Sequence, residues 1–283
     1  RTLYSGITNG TERNDLIKGN YAHADEQLPA PWGYQNVGEV IECGPGLQQI
    51  KQGDVLYLSH DHLEYCLNAE QGGLYVKLPP AVNRAHAALF GMASVAMRTC
   101  RNAEVRMGDR VLIVGAGFIG QVAAQIVNVM GGRATLCDVD ERRLAMARRI
   151  GAAEEVVNTS GDGWAAHITD GSYRAVIDVA GVPGMEDRLI GAAGARGIVL
   201  FIAGRFKVEY TFNIGQGHEI VIKQNSHFDN DDLANLCRLV ARGMVKIEPL
   251  VQDIVPVSHA QHIYDTLRDE PSKLFGTIFD WSK

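Results

Sequence analysis

The sequence predicts an α/β protein in which a doubly wound parallel sheet is joined to a second, mixed β-rich domain. From about residue 110 to residue 222, short apolar runs alternate with helical patterns, as in parallel sheets with crossover helices. One of these runs leads directly into a glycine-rich turn of GxGxxG spacing. The first 80 residues instead hold short β-like runs separated by Gly and Pro.

The glycine turn follows the apolar run from Val111 to Val114 and holds Gly115, Gly117 and Gly120. In a dinucleotide-binding turn, the first glycine permits the tight bend and the second lets a pyrophosphate approach the backbone. The third lets the helix pack on the strand, and the helix offers the positive end of its dipole. Asp138 ends the next predicted strand, where it would accept hydrogen bonds from ribose hydroxyls and repel a 2′-phosphate. The sequence therefore predicts NAD(H) rather than NADP(H).

Length and composition indicate how many domains the chain can form and which classes of partner and compartment it suits. The chain of 283 residues has room for one large domain or two ordinary ones, and its net charge of −6 gives no reason to expect nucleic acid or an anionic membrane as partner. Neither a spanning apolar run nor a signal peptide is visible in the sequence. Five scattered cysteines without a CxxC pair indicate a reducing compartment, and the cytoplasm is predicted. Because Arg1 to Tyr4 already reads as the middle of a strand, we expect N-terminal strands to be missing.

The order of elements divides the chain into three segments. These are residues 1–94, part of a β-rich domain, residues 95–226, the dinucleotide-binding domain, and residues 227–283, which return to the first domain. A long buried helix over 83–103 is predicted to lead into the nucleotide fold. The strands predicted for the parallel sheet are 111–114, 133–137, 154–157, 174–179, 197–202 and 219–222. The strands predicted for the other domain are 39–42, 54–58, 74–78, 250–255 and 276–280.

Six short motifs are spread along the chain: Ser5-Gly6-Ile7, GYQNVGEV from Gly33, Gly53-Asp54-Val55, the GAGFIG turn, Gly151-Ala152-Ala153 and Leu274 to Thr277. With these motifs the chain as a whole resembles the medium-chain dehydrogenase/reductase superfamily. The resemblance implies a Rossmann domain inserted into a split GroES-like catalytic domain, with hydride transfer in the cleft between them. It also implies a homodimer joined through edge strands of the nucleotide domains.

The zinc ligands of the superfamily are absent. Where zinc-bearing members have Cys, His-Glu and a further Cys or Asp, this chain has Thr8 (or Asn9, given a one-residue insertion), Tyr34-Gln35 and Ser94. None of these supplies a thiolate, imidazole or carboxylate, whereas a catalytic zinc needs about three such ligands. The chain therefore resembles a zinc-less member. The motifs SGITNGTE and GYQNVGE are similar to those of the branch that contains the bacteriochlorophyllide hydroxyethyl dehydrogenases.

The candidate catalytic residues are chosen at and near the positions where zinc-bearing relatives bind the metal. They are Tyr34, His62, Thr11, Glu12 and Gln35. Tyr34 and Gln35 stand where zinc-bearing relatives place inward-facing ligands, and Thr11-Glu12 resembles a hydroxyl–acid pair that relays protons to solvent.

The histidines of the β-rich segment are a second source of candidates. His60 and His62 would share one face of a strand because of their period-two spacing. His62 precedes Glu64-Tyr65 as a similar histidine does in zinc-less relatives, so it is preferred over His60. As metal ligands, His60 and His62 would lack a third partner in the sequence. The other histidines, including His259 and His262, are interpreted as structural or solvated.

Further cofactor contacts are predicted along the carboxyl ends of the parallel strands. They are Phe118, Ile119, Arg143, Val179, Ala180, Ile202, Ala203 and Gly204. Arg143 matches a family position for a cation near the adenosine ribose. Residues 202–204 should contact the nicotinamide through their backbone. For Asp178, at the end of a predicted strand, we expect a local capping role.

The predicted function is an NAD(H)-dependent, zinc-independent interconversion of a secondary alcohol and a ketone. The Tyr, His, Asn and Gln residues near the predicted site would suit a polyol, cyclitol or sugar. Two alternatives remain open. One is an enoyl reductase acting on C=C bonds, although such relatives mostly use NADPH, which Asp138 disfavours. The other is a dinucleotide-binding protein without catalysis.

Overall fold

The computed structural model describes residues 1–19 and 32–282. The chain divides into two compact units, one formed by Arg1–Ser94 with Phe228–Lys283 and the other by Val95–His227. Each unit contains one six-stranded sheet. Within the described ranges, we find no helix with the length and apolar character needed to cross a bilayer.

The elements alternate regularly in the second unit and less regularly in the first. The strands are β1 (Thr2–Gly6), β2 (Asn36–Glu39), β3 (Val55–Leu58), β4 (Tyr75–Lys77), β5 (Arg110–Val114), β6 (Arg133–Asp138), β7 (Glu155–Asn158), β8 (Tyr173–Asp178), β9 (Ala193–Phe201), β10 (Val221–Gln224), β11 (Asp253–Pro256) and β12 (Thr277–Asp280). The helices are α1 (Thr11–Leu16), α2 (Phe90–Asn102), α3 (Phe118–Val129), α4 (Glu141–Ile150), α5 (Gly163–His167), α6 (Glu186–Ala192), α7 (Phe212–Gln216), α8 (Asn230–Ala241) and α9 (Ala260–Asp269).

The sheet of the second unit is entirely parallel, with strand order β10-β9-β8-β5-β6-β7. Its central strand β5 is apolar on both faces, and Leu112 and Ile113 are fully buried. The strand order reverses between β5 and β8, which creates a crevice at their carboxyl ends. The prediction of a doubly wound α/β fold is therefore confirmed.

The sheet of the first unit is mixed and brings the two ends of the described chain together. Its order is β11-β12-β1-β2-β3-β4, with β1 antiparallel to both β12 and β2. Ser5 of β1 is thereby paired with Asn36 on one side and Phe279 on the other. The core beside β12 contains Ile7, Leu267 and Phe279, each at most 1% exposed.

Several elements differ from the sequence predictions. Strand β2 occupies 36–39 rather than 39–42, because its register is set by pairing with β1 and β3. Helix α1 was not predicted, since its sequence TERNDL carries one apolar residue and shows no helical periodicity. The placement of His60 and His62 on one strand face is wrong, because β3 ends at Leu58 and both histidines lie in the following loop.

Candidate active site

The glycine turn of the second unit has the geometry that a pyrophosphate site requires. Gly115 has a φ of +108° and packs against the loop after β8, and a Cβ at Gly120 would overlap the Gly115 carbonyl oxygen. A Cβ at Gly117 would meet no described atom within 4 Å, so a ligand can approach the backbone there. Helix α3 begins at Phe118 immediately after Gly117 and directs the positive end of its dipole at this open space.

Asp138 at the end of β6 is held against the glycine turn. Its Oδ2 accepts a hydrogen bond from Ala116 N at 2.7 Å, and its Oδ1 accepts from Val139 N and Asp140 N at 2.7 and 2.9 Å. The carboxylate is 10% exposed. These contacts fix the Asp138 carboxylate beside the glycine turn.

The two arginines that follow Asp138 are occupied by carboxylates. Asp140 caps α4 and pairs with Arg142 at 2.9 Å. An Arg143 nitrogen lies 3.8 Å from Asp138, and another lies 3.8 Å from Asp140. Arg142 is thus paired with Asp140, and Arg143 lies near both Asp138 and Asp140.

One side chain in this region is not among the cofactor contacts predicted from the sequence. Gln121 of α3 is fully buried, and its Nε2 donates to Ala116 O at 2.9 Å and to Arg143 O at 3.3 Å. It thereby joins the glycine turn to the helix that carries Arg143. Its position on α3, one residue after Gly120, was the only sequence signal available.

The loops after β8 and β9 bring the remaining predicted cofactor residues together. Val179 N donates to Val114 O at 3.0 Å, and a Cβ on Gly115 would lie 3.1 Å from Ala180 N. Ile202 N and Ala203 N both donate to Asp178 O, at 3.0 and 3.3 Å. Residues 179–180 and 202–203 therefore lie at the carboxyl ends of neighbouring strands beside the glycine turn.

In the first unit, two of the predicted catalytic residues, Glu12 and His62, contact each other, and the carboxylate of Glu12 is the centre of a group of hydrogen bonds. Glu12 accepts hydrogen bonds from Thr8 N at 2.6 Å and from the Tyr264 hydroxyl at 2.7 Å. Its Oε2 also lies 3.3 Å from His62 Nε2. The Glu12 carboxylate is 3% exposed, so these three donors take the place of solvent. We call Thr8, Glu12, Tyr34, His62 and Tyr264 the Glu12 cluster.

The hydrogen-bond partners of His62 assign its tautomer. An ionised Glu12 can only accept, so His62 donates from Nε2. Its Nδ1 lies 2.8 Å from Ser5 Oγ and must accept the Ser5 hydroxyl hydrogen. Ser5 Oγ in turn accepts from Trp281 Nε1, also at 2.8 Å. Trp281, Ser5 and His62 thus form one directed chain of hydrogen bonds that ends at Glu12.

Two tyrosines of the Glu12 cluster are held in their neutral form. Burial raises the pKa of Tyr34 to about 12; a hydrogen bond with Thr8 opposes this shift and the charge of Glu12 adds to it. Burial and the same carboxylate raise the pKa of Tyr264 well above its ordinary value. Both hydroxyls therefore remain hydrogen-bond donors at neutral pH.

Gln35 has the contacts of a structural residue. It is fully buried, its Oε1 accepts from Met92 N at 2.8 Å, and its Nε2 donates to Gly6 O and Thr8 Oγ1 at 3.3 and 3.1 Å. Both amide hydrogens are used within the protein.

Two other predicted residues lie outside these contacts. The described hydrogen bonds include none from the side chain of Thr11, which begins α1. His60 is directed elsewhere, with its Nε2 2.8 Å from Leu67 O.

The all-parallel sheet, the glycine turn and the acid at the end of β6 are the features of a dinucleotide-binding domain. The family model described as zinc-binding dehydrogenase matches residues 119–242. This match and the relatives described next confirm the predicted resemblance to the medium-chain dehydrogenase/reductase superfamily.

Known proteins similar to this chain are dehydrogenases. The 2-desacetyl-2-hydroxyethyl bacteriochlorophyllide A dehydrogenase of Rhodobacter capsulatus is 26% identical over 98% of this chain and 88% of its own length. An alcohol dehydrogenase of Geobacillus stearothermophilus is 24% identical over 87% of this chain and 83% of its own length. The crystal structure of a short chain alcohol dehydrogenase from E. coli CFT073, complexed with NADH, has a TM-score of 0.80 at 17% identity, covering 99% of this chain and 90% of that one.

The residues at the family's zinc positions do not fit a zinc ion. Thr8, Tyr34, Gln35 and Ser94 offer hydroxyl and amide groups, and Gln35 is already fully engaged. The Ser94 hydroxyl is buried and has no partner among the described residues. Across residues 1–19 and 32–282, no three His, Cys, Asp or Glu side chains are grouped as a metal site would require.

Proposed function

We propose that this protein is an NAD(H)-dependent, zinc-independent oxidoreductase that interconverts a secondary alcohol and a ketone. The observation that carries the proposal is the Glu12 cluster, which combines hydrogen-bond donors with a His–carboxylate pair. The cluster includes Thr8 and Tyr34, the residues at two of the positions where zinc-bearing members of the superfamily hold the metal. The names of the two relatives described above, a hydroxyethyl dehydrogenase and an alcohol dehydrogenase, support an alcohol substrate.

The cofactor is proposed to bind at the glycine turn. Gly115, Gly117 and Gly120 would hold the pyrophosphate and Asp138 the adenosine ribose, and both groups of residues fit this task as they stand. Bound NAD(H) supplies the hydride. The remaining chemistry, which is to orient the carbonyl and to deliver a proton, falls to side chains of the first unit.

Tyr34 is proposed to stabilise the negative charge that develops on the carbonyl oxygen during hydride addition. Such charge needs preorganised donors when no Lewis acid is present. Because the pKa of Tyr34 is raised to about 12, its hydroxyl keeps its hydrogen at neutral pH. Tyr34 is thus suited to donate a hydrogen bond, whereas giving up its proton completely would place a buried negative charge near Glu12.

His62 and Glu12 are proposed to form the proton path. Histidine is the side chain that changes charge near neutral pH, and His62 lies 3.3 Å from the Glu12 carboxylate, which would balance a positive imidazolium. Protonation at Nδ1 would require the Ser5 hydroxyl to turn from donor to acceptor. Thr11 remains a further candidate for the outer end of this path, although no contact with the cluster supports it.

The substrate is proposed to carry several hydroxyl groups, as polyols, cyclitols and sugars do. Polar groups of Thr8, Tyr34 and His62 are gathered at the Glu12 cluster, and Trp32 lies beside Tyr264 with ring centroids 5.7 Å apart. An aromatic surface next to hydroxyl and imidazole groups suits the two faces of a carbohydrate-like molecule.

A homodimer is also proposed, joined through β10. This strand, Val221–Gln224, lies at the edge of the parallel sheet, and Val221 is 45% exposed. An exposed apolar edge strand can pair with its symmetry mate. Sedimentation equilibrium of the wild type and of Val221→Lys would test this assembly.

The proposed function is tested by an activity panel with NADH. We expect turnover of ketones and, in the reverse direction with NAD⁺, of the corresponding secondary alcohols. For comparison, the panel includes α,β-unsaturated carbonyl compounds of the same size as the ketones. Preferred reduction of their C=C bond would identify an enoyl reductase instead. Tight NADH binding without turnover of either class would identify a non-catalytic dinucleotide-binding protein.

A further inference from the structure

Two loops of the second unit stand where the nicotinamide half of a dinucleotide would lie. The glycine turn follows β5, and Asp138 ends β6, so the adenosine half is placed on the β6 side of the crevice. The other half must then extend over β8 and β9, on the opposite side of β5. The loops there are residues 179–182, after β8, and residues 202–205, after β9.

Arg205 is a buried cation in the second of these loops. Its side chain is 11% exposed and forms an ion pair with Asp178, which is 2% exposed. The Arg205 Nε donates to Ala203 O at 3.2 Å, and its Nη1 lies 3.5 Å from Glu186 Oε1. Its guanidinium carbon also lies 5.0 Å from the centre of the Phe201 ring. One planar guanidinium thereby holds its own loop, the end of β8 and the start of α6.

Asp178 extends this contact into the other loop. Its Oδ2 takes the hydrogen bond from Arg205, while its Oδ1 accepts from Ala180 N and Gly181 N at 3.1 and 3.0 Å. The loops also touch directly, because a Cβ at Gly181 would lie 2.7 Å from the Ala203 Cβ. The ion pair therefore connects the two loops, in addition to the direct contact between them and the hydrogen bonds of Ile202 N and Ala203 N to Asp178 O.

We propose that Arg205 is a positioning residue for the nicotinamide half of the cofactor. The proposal rests on the dinucleotide site described under the proposed function. Arg205 fixes the carbonyl of Ala203 directly and the amides of Ala180 and Gly181 through Asp178. The two amides donate their hydrogens to Asp178, whereas a carbonyl oxygen has two lone pairs and can accept a second hydrogen bond from a carboxamide. The glycine turn and Asp138 have no contact with Arg205 among the described hydrogen bonds and ion pairs, so we expect Arg205 to affect the adenosine half less than the nicotinamide half.

The test compares two ligands that differ only in the nicotinamide. NADH occupies both halves of the site, whereas ADP-ribose occupies only the adenosine and pyrophosphate half. Calorimetric titration of Arg205→Met should show NADH affinity reduced about tenfold, corresponding to 1.4 kcal/mol. ADP-ribose affinity should stay within about twofold of the wild type. Steady-state kinetics should show a raised KM for NADH.

A second variant covers the risk that Arg205→Met fails to fold, since it leaves Asp178 and Glu186 buried without a cation. Arg205→Lys keeps the charge but cannot form the same fork of hydrogen bonds. It should reduce NADH affinity about threefold and leave ADP-ribose binding unchanged. The matched control is Arg196→Met, which removes an exposed arginine of β9 whose partner is Glu219.

Three results would overturn the inference. Unchanged NADH affinity in both variants would show that the ion pair does not position the loops. Equal losses for NADH and ADP-ribose would show a general structural role. If the wild type binds neither ligand, the proposed dinucleotide site is wrong, and the inference that depends on it is wrong too.

Discussion

The imidazole ring of His62 occupies the space that a side chain on residue 33 would need. A Cβ at Gly33 would lie 2.6 Å from both Cδ2 and Nε2 of His62, and Gly33 has a φ of +93°. The backbone of the same loop also accepts from His62, since His62 N donates to Trp32 O at 2.7 Å. The loop before Tyr34 and the loop that carries His62 therefore fit together only when residue 33 is glycine.

We predict that Gly33→Ala displaces His62 from Glu12 and reduces turnover at least tenfold. The left-handed backbone at this position should also cost roughly 1–3 kcal/mol of stability. His62→Ala should reduce turnover similarly, with NADH affinity unchanged in both variants. Turnover is measured with the best ketone substrate, and stability by urea denaturation.

The matched control is Gly46→Ala. Gly46 has a φ of +88°, but a Cβ there would meet no described atom within 4 Å. Gly46→Ala should therefore lower the free energy of unfolding, because of its left-handed backbone, without reducing turnover. Equal activity in the two alanine variants would contradict the role given to His62.

Tyr34→Phe removes one hydroxyl and keeps the ring. We expect turnover to fall about 10²–10³-fold, the usual effect of deleting a donor to a developing oxyanion. NADH affinity should be unchanged, because Tyr34 does not belong to the nucleotide-binding unit. Tyr65→Phe is the control, since Tyr65 is 57% exposed. Turnover of Tyr34→Phe within about threefold of wild type would place the oxyanion donor elsewhere.

Asp138→Asn is expected to weaken the preference for NADH over NADPH. The substitution keeps an acceptor for the ribose but removes the negative charge that repels a 2′-phosphate. NADH affinity should fall about tenfold, and NADPH affinity should rise as Arg143 loses one of its carboxylate partners. Fluorescence titration of both cofactors measures this, with the exposed Asp162→Asn as control. Tighter binding of NADPH by the wild type would overturn the cofactor assignment.

Purified protein should contain no stoichiometric zinc and should keep its activity in a chelator. The reason is that Thr8, Tyr34, Gln35 and Ser94 provide no thiolate, imidazole or carboxylate. Elemental analysis and assays with and without EDTA measure this directly. One zinc per chain, together with loss of activity on its removal, would contradict the prediction.

The raised pKa of Tyr34 predicts a loss of stability at alkaline pH. Its hydroxyl ionises near pH 10 in the unfolded chain and near pH 12 in the folded protein. The stabilising effect is therefore fully present below pH 10 and is lost between pH 10 and 12, at about 1.4 kcal/mol per pH unit. Urea denaturation at pH 9 and pH 11 should show a smaller decline for Tyr34→Phe than for the wild type. Parallel declines would show that the Tyr34 hydroxyl titrates normally.

The local sequence was sufficient to predict those strands and helices that form through contacts between residues close together in the chain. All six strands of the parallel sheet were predicted within a few residues, because each contains a short run of mostly apolar residues next to a turn or a helical pattern. The short helices α1, α5 and α7 were missed, since segments of five or six residues are too short to show helical periodicity.

By itself the sequence determined the α/β class, the resemblance to the superfamily and the glycine turn with its acid, because each depends on short contiguous patterns. The tertiary structure decided which side chains meet. Ser5, His62, Tyr264 and Trp281 converge on Glu12 only because β1 lies between β2 and β12, which joins the beginning of the described chain to its end. Arg205 meets Asp178 only because β9 pairs with β8. Strand pairing over such separations leaves no local signal, since its free energy comes from contacts that exist only after the sheet has formed.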